Sequence, residues 1–123
     1  MSCTLYAYGS NFQVDRFLDE TALPLSQILQ KDTDSMFNLT SITISVSKEE
    51  GLASQIHDAM LFLRIYREDL NKLRHYSNVE EICLNFTMKS EETLSTSLPF
   101  PYELFQLAFD NGISLNIFDG PIT

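Results

Sequence analysis

A chain of 123 residues, 44% hydrophobic and 20% charged, can bury one core without disulfide or metal support, and leaves little room beyond a single domain over residues 1–123. Seventeen acidic residues against eight basic ones give a net charge of −9, which disfavours nucleic acid and anionic membranes as partners and suits a basic protein. No apolar run is long enough to cross a bilayer, the first residues carry no secretory pattern, and Cys3 and Cys83 read as reduced thiols of a cytoplasmic protein.

The period of the apolar residues assigns the elements in chain order. Residues 4–8 alternate as a strand ended by Gly9. Ser10 and Gln13 stand at capping-box spacing and predict a helix to about Glu20, with Phe12, Phe17 and Leu18 as its core contacts. After Pro24, residues 25–29 fit a short strand or a turn, and 30–38 read as a polar loop. In the next strand Ile42, Ile44 and Val46 face one way and Ser41, Thr43 and Ser45 the other.

Ser47 and Glu50 offer a second capping box, weakened by Gly51, for one long helix whose stripe runs Leu52, Ile56, Ala59, Leu63, Tyr66, Leu70 and Leu73. Residues 81–88 form a third strand, with Ile82, Leu84, Phe86 and Met88 opposite Cys83, Asn85 and Thr87. A polar loop over 89–97 leads to Pro99-Phe100-Pro101 and a helix that stops at Asn111-Gly112, a left-handed C-terminal cap. Ile113, Leu115 and Ile117 then alternate with Ser114, Asn116 and Phe118 in a last strand.

Two strand–helix–strand units predict a parallel arrangement of the last three strands. A parallel sheet covered on both faces would carry continuous apolar strands, and these alternate. The expected fold is α+β: a two-layer α/β sandwich, a mixed sheet with helices on one face and a polar face opposite.

Catalytic and metal-binding patterns are missing from the sequence. Cys83 lies mid-strand among polar neighbours and Cys3 at the frayed N-terminus, neither beside a base. His57 and His75 are too far apart on one helix to share a site. There is no CxxC or HExxH, Asp32-Thr33-Asp34 lacks the remaining ligands of a calcium loop, and Glu80-Glu81 and Glu91-Glu92 read as solvated pairs. The expectation is a non-catalytic protein with no cofactor or metal. Aromatic and amide groups on the polar sheet face make a binding patch instead: Tyr6, Tyr8, Asn85 and Asn116, rimmed by the loop acids Asp32, Asp34, Glu91 and Glu92. A homodimer and a small-molecule-binding or weakly enzymatic domain are the alternatives.

The runs Asn11-Phe12-Gln13-Val14-Asp15-Arg16-Phe17-Leu18 and Gln55-Ile56-His57-Asp58-Ala59-Met60-Leu61-Phe62-Leu63, then Leu73-Arg74, Val79-Glu80, Tyr102-Glu103-Leu104, Leu107-Ala108 and Gly112-Ile113, resemble an uncharacterised family of small acidic bacterial domains. The resemblance spans most of the chain and consists of core pattern. It carries over no functional residues and implies no enzyme activity. Families of this kind often sit beside polymorphic toxins, so the role implied is that of an immunity protein whose partner is a basic toxin domain.

Overall fold

Alternating strands bury one side each, and here those sides join into a single apolar face. The computed structural model of the chain describes residues 3–34, 36, 38–88 and 100–119, the side chains of 25, 34 and 119 excepted. Its elements are β1 (Cys3–Ser10), α1 (Val14–Asp19), β2 (Ile28–Asp34), β3 (Leu39–Ser47), α2 (Leu52–Ile65), α3 (Arg67–His75), β4 (Glu81–Met88), α4 (Tyr102–Asp110) and β5 (Ile113–Asp119). The strands form one mixed sheet in the order β2-β3-β1-β4-β5. The result is an α+β fold.

β4 and β5 are parallel neighbours, as the crossover through α4 requires. β3 and β4 also run parallel, but β1 lies between them, antiparallel to both. The sequence predicted their direction and missed this insertion, because pairing between distant segments leaves no local trace. Leu5, Ala7, Ile42, Ile44, Ile82, Leu84 and Phe86 of the sheet share one core with Phe17, Leu52, Ile56, Leu63, Leu70, Leu73 and Leu104 of the helices.

Aromatic contacts fix the ends of this layer. Phe12, Phe17 and Tyr76 form a three-ring cluster that ties α1 to the end of α3, with centroids 5.2–6.2 Å apart. Phe100 lies 4.9 Å from Phe86 and 5.7 Å from Phe105, anchoring the entry to α4. The cap at the far end of α4 is as expected: Gly112 takes φ +65° and its N–H donates to Phe109 O.

Four expectations need correction. Residues 30–34, read as polar loop, belong to the edge strand β2, which pairs antiparallel with β3. An edge strand needs only its ladder, and charged residues along it block further pairing. The long helix breaks at Tyr66 (φ −102°, ψ 23°), where Glu68 and Asp69 supply the first-turn acids of a new helix, α3. The apolar stripe continues across the break, which is why periodicity hid it. Neither capping box forms: α1 is capped at Gln13 and α2 at Gly51, without side-chain bonds. Ser10 instead donates from N and Oγ to Glu80, and Ser47 Oγ donates to Asp58 at 2.7 Å. Finally, Cys3 is a fully buried β1 residue rather than part of a frayed terminus.

Candidate functional site on the polar sheet face

Register carries the polar residues of the strands across the sheet. Tyr6 pairs with Thr43 on one side and Cys83 on the other, and Tyr8 with Ser41 and Glu81. Cys83 pairs in turn with Ser114, Asn85 with Asn116 and Thr87 with Phe118. At the far edge Gln30 pairs with Thr43 and Asp32 with Ser41. One face therefore runs from Asp32 through Ser41, Tyr8 and Glu81, and through Cys83 to Ser114.

The face is less open than its composition suggests. Ser41 and Ser45 are buried, and Tyr6 and Tyr8 are half-buried with ring centroids 5.7 Å apart. Small hydroxyl side chains beside large rings are shielded by them. Phe118 and Ser114 remain exposed.

A carboxylate organises the centre. Tyr8 OH donates to Glu81 Oε2 at 2.7 Å and Cys83 Sγ donates to Glu81 Oε1 at 3.3 Å. Asn116 Nδ2 donates to Asn85 Oδ1 at 3.1 Å. The hydrogen bond to Glu81, reinforced by its negative charge, pushes the Tyr8 phenol up to about 12. The Cys83 thiol rises to about 11, first through burial and then through Glu81, while the Asn116 side chain favours the thiolate and partly offsets the rise. The same bonds from Tyr8 and Cys83 hold the Glu81 carboxyl below its usual range. Burial, followed by the negative charge of Asp58, pushes Cys3 upward as well. A protonated thiol is a poor nucleophile, so this arrangement suits recognition by hydrogen bonding better than covalent chemistry.

Tyr6, Tyr8, Asn85 and Asn116 thus meet on one surface. Asp32 lies on the same face, exposed on β2 rather than in a loop, and Asp34 also belongs to that strand, opposite Leu39. Glu91 and Glu92 lie outside the described residues. Sequence reasoning placed Cys83 on this face beside Asn85 but missed Glu81 as a member of the site. The parity of Glu81 with Asn85 was visible, but its contact with Tyr8 depends on β1 lying beside β4. Glu80, the other half of the acidic pair, holds Ser10, and its N–H donates to Tyr8 O at 2.9 Å.

The shifts predict behaviour in alkali. Tyr8 and both thiols bind protons more tightly folded than unfolded. Their contribution is therefore complete below the unfolded values of about 9 to 10 and is lost as pH rises through the folded ones. Circular dichroism in urea should show stability falling above pH 9, and Cys83→Ala should flatten that decline. A decline of the same steepness in Cys83→Ala would remove Cys83 from the account.

His57 and His75 occupy α2 and α3, both exposed, and among the described residues no cluster of His, Cys, Asp or Glu could hold a metal. No described helix is long and apolar enough to cross a membrane. No family model, curated protein or solved structure matches this chain, so the site is read from its own residues.

Proposed function

We propose that this chain is a non-catalytic, cytoplasmic binding protein that covers a basic surface of another protein with its polar sheet face, in the manner of an immunity protein on a toxin domain. The observation that carries the reading is the continuity of that face, with Asp32 and Glu81 set among Tyr6, Tyr8, Asn85 and Asn116. Held aromatic and amide groups lose little freedom on docking and make good anchors. A net charge of −9 accelerates encounter with a cationic partner and suppresses acidic ones.

The test begins with the DNA flanking the gene. A neighbouring gene for a toxin with a basic terminal domain supplies the partner, which is then titrated against the wild type and the combined variant Tyr8→Ala, Asn116→Ala and Asp32→Ala. Affinity should fall by about 100-fold or more. The wild-type association rate should fall steeply with salt. An unchanged affinity in the variant removes the sheet face from the function, and flanking metabolic genes without a toxin remove the proposed partner.

A further inference from the structure

The two edges of the sheet are built differently. β2 carries Lys31, Asp32 and Asp34 and a register irregularity between Ile28 and Gln30, both of which discourage a further strand. β5 reads Ile-Ser-Leu-Asn-Ile-Phe-Asp, with its only charge at the final residue, and no described strand pairs with its outer side. Beside this edge, on the helical side, lies a groove of about 550 Å3 lined by Tyr102, Phe105, Phe109, Ile113 and Leu115 among others. Tyr102 is 81% and Phe109 82% exposed, and Phe118 flanks the edge on the opposite face.

We infer that β5 is the seam of a symmetric homodimer, in which two copies join their sheets edge to edge and seat each other's α4 aromatics in the two grooves. The occupant follows from charge and symmetry. Two chains of net charge −9 repel, so they can meet closely only where charge is sparse or balanced. This is such a place: β5 carries no charge before Asp119, Glu103 of α4 is paired with Arg64, and at Asp110, which also lines the groove, Arg74 Nη1 donates to the main-chain carbonyl oxygen at 2.7 Å. A neutral edge offers a basic partner nothing to select, whereas an antiparallel strand pair is self-complementary. A twofold axis through the middle of β5 sets each Asp119 at the opposite end from its counterpart. Any strand added there brings its own overlying layer to the groove, and a second copy brings three aromatic side chains of the kind the groove accepts. Of the groups proposed to bind a partner only Asn116 belongs to β5, on the face opposite the groove, so substitutions of the α4 aromatics and of Tyr8 and Asp32 let either reading fail without the other.

Sedimentation equilibrium of the full chain, with amide hydrogen exchange, tests the inference. The wild type should reach twice the chain mass in the micromolar range, with exchange at β5 slowing as concentration rises. Tyr102→Lys with Phe109→Lys, both at exposed positions, should raise the dissociation constant at least 100-fold with the circular dichroism unchanged. Ile65→Lys, at another exposed apolar side chain, should leave the dimer intact. A wild type that stays monomeric, a dimer that survives the double substitution or is equally lost in Ile65→Lys, or a dimer without concentration-dependent protection of β5 would each overturn it.

Discussion

Gly9→Ala is expected to cost about 3 kcal/mol or more of stability, beyond what a surface substitution produces. A Cβ at Gly9 would lie 1.6 Å from Asn78 O and 2.7 Å from its carbonyl carbon, and both are backbone atoms. The turn that carries them cannot easily retreat. Asn78 sits in the left-handed region (φ 72°) and its Nδ2 donates to Asn11 O at 3.2 Å. Just beyond, Glu80 N donates to Tyr8 O, and the Glu80 carboxylate holds Ser10 N at 2.8 Å. The turn is thus tied to β1 on both sides of Gly9, and retreat would break these bonds and shift Glu81 away from Tyr8. Gly51→Ala is the control, since a Cβ there meets nothing within 4 Å. Urea midpoints of the two variants decide the matter: a large loss for Gly9→Ala alone is the expected result, and equal midpoints would show that the contact relaxes.

The second large effect centres on Gln55, a fully buried polar side chain on α2. Its Nε2 donates to Thr87 O at 2.8 Å and Glu50 O at 3.1 Å, and its Oε1 accepts from Thr87 N at 3.0 Å. One amide thus does for β4 what a neighbouring peptide group would do. Gln55→Leu keeps much of the volume and removes all three bonds, which should cost about 2–4 kcal/mol because each buried polar group left without its partner is penalised. Gln55→Glu adds a diagnostic. Its charged form would face Thr87 O in a site without solvent, so its folded pKa should rise and the stability it retains should be fullest in acid. The deficit of Gln55→Glu relative to wild type should therefore shrink as pH falls, while that of Gln55→Leu should not. Parallel deficits at all pH values would mean that the side chain contributes shape rather than hydrogen bonds.

The sheet was largely legible because four strands keep strict alternation: Leu5 and Ala7, Ile42 and Ile44, Leu84 and Phe86, and Ile113 and Leu115 mark the inner face without ambiguity. That same parity placed Tyr6, Tyr8, Asn85 and Asn116 together. What escaped depends on partners rather than pattern. Gln30 to Thr33 contain no apolar residue, and only the ladder with β3 makes them a strand. Glu81 looked like one more solvated acid until β1 was placed beside β4. Ser10 and Ser47 have the right spacing for helix caps, yet Glu80 and Asp58, close only in the folded chain, take their hydroxyls. The break at Tyr66 was hidden because Leu63, Leu70 and Leu73 stay buried on either side of it.

The central position of β1 also has a kinetic meaning. Thr4 is hydrogen-bonded into the sheet between Ser45 and Asn85, so the strand made early in synthesis is completed by one made much later. Until β4 emerges from the ribosome, a β2-β3-β1 ribbon can form only with one flank of β1 bare, and that flank is a template for pairing with other chains. Closing such distant contacts costs loop entropy before any burial repays it, which slows folding relative to a chain built of local contacts. Refolding yield should therefore depend on protein concentration, with losses set by how long β1 waits for its second neighbour.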